Sequence, residues 1–242
     1  MKTLVIPDIH NRIKKVESLL HTVTYDKVVF LGDYFDSFGD NIQDAERTAK
    51  FVKANINNPN YTFLFGNHDF WYAYPREFLW CPGNNHEKRR MIRSIISEPD
   101  WGRFKLLTED QGWWMSHAGM HPKYFGKDAS EFVAEHALNR CDQAIQNVKA
   151  FVEDPLVLWD CTRGGGMAPE GSILWLHWDS FAPIHGVNQI VGHTNNNWVR
   201  MCHEPDSLNY CLDTFSDYYG IIEDGKFSHV DSNYVSNNIG CL

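Results

Sequence analysis

Long apolar segments are missing from this chain of 242 residues. No window approaches the roughly 18 consecutive apolar residues that a membrane-spanning helix needs. The amino-terminal stretch MKTLVIPDIH has one lysine and an apolar run of only four residues, shorter than the hydrophobic region of a signal peptide. Internal repeats and low-complexity linkers are missing as well. The sequence therefore predicts a cytoplasmic protein without membrane contact, and we expect residues 1–242 to form a single domain.

Positive charge is also scarce, because the formal net charge is −9. Bulk attraction to a nucleic-acid backbone is therefore not expected, although a few local cations could still bind a nucleotide. No two cysteines form a CxxC pair, which argues against a zinc finger or a thioredoxin-type redox site. We expect scattered reduced thiols at Cys81, Cys141, Cys161, Cys202, Cys211 and Cys241. Hydrophobic residues make up 43% of the chain, enough for a sizeable core.

The first 70 residues alternate between strand and helix patterns. A strand is predicted at residues 3–6, and NRIKKVESLLHTV then has apolar residues at helical spacing. DKVVFLGDYFD is a strand through Leu31, NIQDAERTAKFVKANI is a second amphipathic helix, and YTFLF is a third strand. This β-α-β-α-β order predicts parallel strands with helices packed on the sheet.

Short strands dominate the rest of the predicted structure. WWMSHAGM is a short strand that ends in polar residues, and HEKRRMIRSII and ASEFVAEHALNRCDQAIQNVKAFV are helices. The later segments read as short strands and turns, namely GSILWLHWD, NQIVGHT, WVRMCH, SLNYCLDT, YYGIIEDG and KFSHV. The EDG before Lys226 indicates a hairpin. We therefore expect an α/β fold in which two sheets form a β-sandwich flanked by helices.

Polar side chains follow five of the predicted strands, at the point where each strand ends. They are Asp8 and His10, then Asp33 and Asp36, then Asn67, His68 and Asp69, then His117, and finally His193. The carboxyl ends of parallel strands meet at one edge of a sheet, where ligands collect, so the first three groups must converge. Carboxylate, amide and imidazole without thiolate favour a divalent ion such as Mn²⁺, with Fe, Zn²⁺ or Ni²⁺ as alternatives.

These residues predict a site for two divalent ions. One ion would take Asp8, His10 and Asp33, and the second would take Asp33, Asn67, His117 and His193. A shared carboxylate lets two ions sit roughly 3.5–4 Å apart, as two-metal hydrolases require. Such a pair clamps a phosphoryl group and lowers the pKa of a bound water, which can then attack phosphorus.

A general acid is predicted beside the second ion. His68 adjoins Asn67 but is not needed as a ligand, so we expect it to protonate the leaving oxygen. Asp36 or Asp69 would orient its other ring nitrogen. Helix capping is an alternative role for Asp8 and Asp33, because both precede helices. Capping does not account for the histidines, since histidine is not a preferred cap.

The motifs DIH, GDYFD, GNHD, SHAG and GHT, in this order, resemble the calcineurin-like metallophosphoesterase superfamily. GDYFD and SHAG are similar to its branch of Ser/Thr protein phosphatases and diadenosine tetraphosphatases. The resemblance runs from Asp8 to Thr194 and implies a helix-flanked β-sandwich in four αββα layers. It also implies a di-metal centre and direct hydrolysis without a phosphoenzyme, and its ligand roles agree with those assigned above.

The sequence departs from the resembling branch at its phosphate-binding positions. The second motif of that branch continues into Arg-Gly, whereas here Ser37 and Phe38 follow. The residue after the first-motif histidine is Asn11 rather than glycine. A replacement cation is therefore needed, and we predict phosphate contacts from Arg163, in LWDCTRGGG, and from Arg12. A solvent-exposed loop arginine and a surface charge at a helix start are the alternatives.

Aromatic residues crowd the third and fourth motifs. FWYAYPREFLW directly follows GNHD, and it could form a lid that stacks a nucleobase or pack in the core. We predict that His177 lines the cleft and that Tyr218 or Tyr219 borders it.

Three functions therefore remain open. The first is a phosphomonoesterase of the Ser/Thr protein phosphatase type. The second is a hydrolase of nucleotide phosphoanhydrides or phosphodiesters, including nucleic-acid or cyclic phosphates. The third is a non-enzymatic binding scaffold. The expected partner is a phosphorylated protein, nucleotide or small molecule.

Overall fold

The computed structural model describes residues 1–37, 39–163 and 166–232. Within these ranges the chain forms two mixed sheets of five strands each, flanked by helices. This architecture confirms the α/β sandwich expected from the sequence. Among the described residues, no helix combines the length and apolar character that crossing a bilayer requires. That residues 1–242 form one domain stays a prediction.

The first sheet contains the predicted β-α-β-α-β unit. Its strands are β1 (Lys2–Ile6), β2 (Lys27–Phe30), β3 (Tyr61–Phe63), β9 (Tyr218–Glu223) and β10 (Lys226–Asp231). Their order is β10-β9-β1-β2-β3, with β1, β2 and β3 parallel. The predicted hairpin is confirmed, since β9 and β10 pair antiparallel across Asp224 and Gly225, both at positive φ.

The second sheet is built from the later strands. They are β4 (Leu107–Asp110), β5 (Trp113–Ser116), β6 (Asn188–Val191), β7 (Arg200–Glu204) and β8 (Ser207–Cys211). The order is β4-β5-β6-β8-β7, and β5, β6 and β8 are parallel. Each sheet therefore has three parallel strands whose carboxyl ends lie on one edge.

Helices cover the outer faces of the sandwich. They are α1 (Ile13–Thr22), α2 (Ile42–Asn55), α3 (Asn67–Ala73), α4 (His86–Ile95), α5 (Glu98–Trp101), α6 (Pro122–Phe125) and α7 (Ala134–Lys149). Short 3₁₀ turns occupy Glu77–Leu79, Cys161–Arg163 and Trp178–Ser180.

Side chains along the strands alternate between the two faces of each sheet. One set of apolar side chains therefore lies between the sheets, and the other lies under the helices. Val5 and Val29 join Met115 and Ile190 of the second sheet in a cluster between the sheets. Their neighbours on β1 and β2, such as Phe30, belong to the larger core that includes the apolar faces of the helices. Because successive strand residues point to opposite faces, both sides of the first sheet are buried.

One sequence expectation about local structure is wrong, and the structure decides between two alternatives that the sequence left open. GSILWLHWD contains no strand in the structure; its last two residues begin the 3₁₀ turn Trp178–Ser180. FWYAYPREFLW does not begin as a surface lid, because Phe70, Trp71 and Tyr72 lie on α3 with their side chains buried. Tertiary packing of these rings decides their place, and the core alternative left open by the sequence is the one observed.

Candidate metal centre

The carboxyl ends of the two parallel strand sets meet at one cavity of about 720 Å³. Residues that follow β1, β2 and β3 lie opposite residues that follow β5, β6 and β8. Hydrogen bonds join the two sheets here. The backbone N–H of His193 donates to the two oxygens of the Asp8 carboxylate at 3.0 and 3.1 Å. The ring Nδ1 of His117 lies 3.0 Å from the carbonyl oxygen of Leu31. The site is thus a seam between the sheets.

Two groups of predicted ligands come together at this seam. The ligand atoms of Asp8, His10 and Asp33 all lie within 4.8 Å of one another, and so do those of Asp33, His117 and His193. Asp33 belongs to both groups. Its Oδ2 lies 3.8 Å from Nε2 of His10 and 3.6 Å from Nε2 of His117. The structure therefore places the shared carboxylate between the two histidines.

Asn67 completes the second group. Its Oδ1 lies 2.9 Å from Nε2 of His117 and 3.0 Å from Nδ1 of His193. These two ring nitrogens are 3.2 Å apart. One amide oxygen and two imidazoles thus converge on a common point, next to the Asp33 carboxylate.

Hydrogen bonds orient the rings of His10 and His117 so that one nitrogen of each ring faces the ligand groups around Asp33. His10 Nδ1 lies 2.6 Å from the carbonyl oxygen of Asp36, and His117 Nδ1 has the contact with Leu31. A carbonyl can only accept, so we assign the ring proton to Nδ1 in both residues. Nε2 of each ring then presents a lone pair towards Asp33. Metal-binding histidines commonly have this arrangement, with the second nitrogen donating to a carbonyl.

The buried carboxylates are the strongest indication that the side chains of this site are suited to binding cations. Burial, reinforced by neighbouring carboxylates, raises the pKa of Asp8 and Asp33 well above the usual range. Burial also raises the pKa of Asp213 to about 6 and that of Asp69 to about 8. Burial, together with the charge of His68, lowers the pKa of His10 to about 4, so its imidazole is neutral. Clustered oxygen acceptors and neutral imidazoles form a donor set for divalent ions.

Glycines make room for the acid groups. A Cβ added to Gly192 would overlap Oδ1 of Asp8, and one added to Gly66 would overlap Oδ1 of Asp33. The same Asp33 oxygen accepts the backbone N–H of His68 at 3.0 Å. The motifs GHT and GNHD therefore need their glycines for close approach to the carboxylates.

Strained backbone marks the same residues. His10, Asp33 and His193 have φ values of +45°, +49° and +68°, and Asp36 has +61°. Left-handed conformations are unfavourable for residues with a side chain and cluster at functional sites. Here they turn the chain sharply at the strand ends, so that side chains point into the cavity.

The His68 ring stands beside the predicted ligands. Its Nδ1 lies 3.3 Å from Oδ2 of Asp36, and the ring meets that of His10 edge-on at 5.5 Å. Of the two carboxylates expected to orient His68, Asp36 is the one in contact. Asp69 instead accepts the backbone N–H groups of Tyr34 and Gly66 at 2.9 and 3.0 Å. It ties the loop after β2 to the start of α3.

Asp36 keeps its charge despite burial. Burial alone would raise the pKa of Asp36, but the hydrogen bond and charge of His68 and the hydrogen bonds of Lys88 and Tyr72 outweigh it, so the pKa is lowered. The ionised carboxylate is therefore available to hold the ring of His68.

The predicted phosphate contacts have different outcomes. Arg12 lines the cavity, and its guanidinium lies 5.8 Å from the centre of the Phe215 ring. Among the described residues, its buried Nη1 atom has no hydrogen-bond partner. The side chain of Arg163 lies outside the described part of the chain, as does Phe38.

Several residues that line the cavity were not predicted from the sequence. Asp213 follows β8 as the predicted ligands follow their strands, so the same signal could have found it. Trp159 and Trp175 stack at 5.2 Å and both line the cavity, as does the predicted His177. Phe215, rather than Tyr218 or Tyr219, is the lining aromatic after β8. Contacts from residues far apart in sequence decide these positions.

Two sheets between helices, with carboxylates and imidazoles gathered where their strands end, define a metal-dependent hydrolase. The model of the calcineurin-like phosphoesterase family matches residues 1–217, and the chain belongs to this family. The protein is therefore a phosphoric ester hydrolase, and the family implies a dinuclear divalent metal centre. No match was found among curated protein sequences.

Solved structures share the fold at low identity. A cold-active protein-tyrosine phosphatase from a psychrophilic Shewanella species is 15% identical over 95% of this chain and 80% of its own, with a TM-score of 0.58. A putative diadenosine tetraphosphatase is 16% identical over 95% and 93%, with 0.52. A serine/threonine phosphatase from Saccharomyces cerevisiae is 11% identical over 96% and 80%, with 0.51. At these identities the likeness shows the fold alone.

The close approach of Gly192 to the Asp8 carboxylate predicts that a side chain at position 192 lowers the metal content. In Gly192→Ala the new methyl group would push the Asp8 carboxylate aside, so we expect less than the full metal content and a fall in kcat of ~100-fold. Metal analysis by mass spectrometry and phosphatase assays measure both. Gly102→Ala is the control, because Gly102 has an ordinary φ of −65° and its added Cβ meets nothing closer than 3.3 Å. Full metal content and activity in Gly192→Ala would contradict the assignment.

The buried acids predict that metal-free protein is destabilised by base. Asp8, Asp33 and Asp69 have raised pKa values in the folded state, so above pH 6.5 the folded state binds more protons than the unfolded state. The free energy of unfolding must then fall as pH rises from 6.5 to 9, on the order of 2 kcal/mol. The lowered pKa of His10 acts in the opposite sense, but its contribution is nearly complete above about pH 7.5, where the unfolded imidazole has lost its proton as well.

Urea unfolding of chelator-treated protein measures this slope. Added Mn²⁺ should flatten it, because a cation takes the place of the protons, and should raise the stability by mass action. Asp8→Asn should give a shallower slope in the metal-free state. A metal-free protein whose stability rises with pH over this window would disprove the account.

Proposed function

We propose that the protein is a di-metal phosphomonoesterase in which a water molecule attacks phosphorus directly. The sharing of Asp33 between two convergent ligand groups, with the His68–Asp36 pair beside them, supports this proposal most. One ion would be held by Asp8, His10 and Asp33, and the second by Asp33, Asn67, His117 and His193. Bound there, the ions would supply Lewis-acid stabilisation of the phosphoryl oxygens and activation of water.

His68 is the proposed general acid. Asp36 occupies Nδ1 of the ring, which leaves Nε2 as the nitrogen available to the cavity that His68 lines. As the bond from phosphorus to the ester oxygen breaks, the proton on Nε2 passes to that oxygen. Water provides the new oxygen on phosphorus, so the products are an alcohol and inorganic phosphate. In this proposal Asp69 acts on the loops and does not touch the reacting groups.

Arg12 is the proposed phosphate contact among the described residues. It lines the cavity, carries a permanent charge and has a buried nitrogen that still lacks a partner within the described ranges. A guanidinium can bind two phosphate oxygens at once, which fits an arginine facing such a cavity. Arg163 remains proposed as a second contact on sequence grounds.

Manganese is the proposed native metal. Three of the six proposed ligands, Asp8, Asp33 and Asn67, bind through oxygen, and thiolate is lacking among them. Such mixed oxygen and imidazole sites suit Mn²⁺, with Fe, Zn²⁺ and Ni²⁺ as alternatives. Activity restored to chelated protein by each ion in turn, together with the metal content of the purified protein, tests this choice.

Two substitutions separate the ligand role from the acid role. His193→Ala removes a proposed ligand and should abolish turnover with loss of the second ion. His68→Asn should lower kcat about 100- to 1,000-fold with both ions retained, because a general acid typically contributes 10²–10⁴-fold. Metal analysis and steady-state kinetics distinguish the two. His229→Asn serves as control, because His229 lies on β10 and does not line the cavity. Full activity in His68→Asn would refute its acid role.

The stacked tryptophans favour a second candidate, the hydrolysis of nucleotide phosphoanhydrides. Trp159 and Trp175 are nearly parallel, with 7° between their planes, and the ring of Trp175 meets that of His193 edge-on at 5.8 Å. The aromatic surface therefore starts at a proposed ligand and follows the cavity wall. Aromatic side chains of this kind bind nucleobases as well as other rings.

A substrate panel decides between the two candidates. Phosphoserine and phosphotyrosine peptides, diadenosine tetraphosphate, a cyclic nucleotide and a 5′-phosphorylated oligonucleotide are compared by kcat/KM on the Mn²⁺-loaded protein. The proposed phosphomonoesterase should prefer a phosphopeptide by at least ~10-fold. Trp159→Ala should lower kcat/KM for aromatic esters more than for phosphoserine. A preference for diadenosine tetraphosphate would replace the first candidate with the second.

A further inference from the structure

A buried lysine lies behind the proposed acid. Lys88, on α4, has a side chain only 11% exposed, and its Nζ lies 2.9 Å from Oδ1 of Asp36. The same Nζ donates to both carboxylate oxygens of Asp40 at 2.8 Å. The lysine therefore joins α4 to the loop that follows β2. Burial opposes its charge, but the hydrogen bonds to Asp40 and Asp36 outweigh this and raise the pKa of Lys88.

Four donors surround the carboxylate of Asp36. Lys88 and the hydroxyl of Tyr72 donate to Oδ1 at 2.9 and 2.7 Å. The amide of Asn84 donates to Oδ2 at 3.0 Å, and His68 Nδ1 lies 3.3 Å from the same oxygen. With both oxygens engaged, the carboxylate has one orientation, and that orientation faces His68.

The segment between the third and fourth motifs supplies most of this support. Asn84 also donates to the backbone carbonyl of His68 at 3.2 Å. Cys81 lies 3.6 Å from the ring Nδ1 and donates its backbone N–H to Asn84 Oδ1 at 2.9 Å. Lys88 follows within the first turn of α4. One segment thus surrounds the His68–Asp36 pair; its Pro82 and Gly83 line the cavity, and its Lys88 does not.

Stability alone does not explain a lysine in this place. Removing a lysine and two carboxylates from water costs free energy that their attraction often fails to recover. Such groups can instead specify one geometry. Lys88 does not line the cavity, so it has no direct contact with a bound ester. Its effect on the reaction must pass through Asp36.

We propose that Lys88, with Tyr72, is a positioning residue that fixes the Asp36 carboxylate so that Asp36 holds His68 in line with the leaving oxygen. This inference rests on the proposed function, in which His68 is the general acid. It predicts that loss of Lys88 affects proton donation while leaving metal binding and substrate binding intact. Poor leaving groups depend on proton donation, and good ones do not.

The test compares leaving groups on the Mn²⁺-loaded protein. For Lys88→Met we expect kcat to fall ~10- to 100-fold with phenyl phosphate, but less than about 3-fold with 2,4-dinitrophenyl phosphate. KM and metal content should stay unchanged. Tyr72→Phe removes only one hydroxyl and should show the same trend with a smaller loss. If Lys88→Met does not fold, the comparison of leaving groups is made with Tyr72→Phe alone.

Matched controls remove similar bonds elsewhere. Lys53→Met breaks the ion pair of Lys53 with the buried Asp100, at 2.7 Å, and Tyr25→Phe breaks the bond between the hydroxyls of Tyr25 and Tyr61, at 2.8 Å. Neither residue lines the cavity. Both variants should retain wild-type kcat with every ester.

His68→Asn, measured with the same esters, distinguishes a failure of the inference about Lys88 from a failure of the proposed function. If its loss grows as the leaving group worsens while Lys88→Met and Tyr72→Phe lose activity equally with all esters or lose none, the positioning role is overturned and the proposed function stands. If His68→Asn is itself insensitive to the leaving group, the acid assignment fails, and the inference about Lys88 fails with it.

Discussion

The burial of several carboxylates at one point is the constraint on which this site depends. Asp8, Asp33, Asp69 and Asp213 are all nearly inaccessible to solvent, and burial raises the pKa of each. Like charges held together away from water must either take up protons or face cations. The family to which the chain belongs implies the second solution, two divalent ions. The geometry of the surrounding backbone serves to keep these acids close together.

The fold meets this constraint by joining two sheets at their parallel edges. Three parallel strands in each sheet end at the cavity, so six chain segments can place a side chain there within a short turn. Those turns use left-handed residues, including Asp33 and His193, each of which costs on the order of 1–3 kcal/mol. A closely packed core between and outside the sheets holds them in place. Local strain at the cavity is thus sustained by burial elsewhere.

Strand ends were predictable from sequence because they combine two local signals, an apolar run and the polar residues after it. The same two signals mark Asp213, which follows the apolar end of β8 but was not among the predicted ligands. Asp69 shows where local reasoning stops: its neighbour His68 faces the cavity, but the first turn of α3 directs Asp69 to backbone N–H groups. Lys88 lies 52 residues from Asp36, and no periodicity records a contact across that distance.

Charge is divided unequally between the cavity and the structure behind it. Lys88 is engaged by Asp36, which contacts the proposed acid, and by Asp40, whereas Arg12 lies at the cavity wall near the acidic Asp213. The position after Asp36, where the resembling phosphatases have an arginine, is Ser37. Among the described residues that line the cavity, an anionic ester would meet the carboxylates of Asp33, Asp36 and Asp213 and the guanidinium of Arg12. The two ions that the family implies would add positive charge beside Arg12, so that substrate binding and catalysis would depend on the same charges.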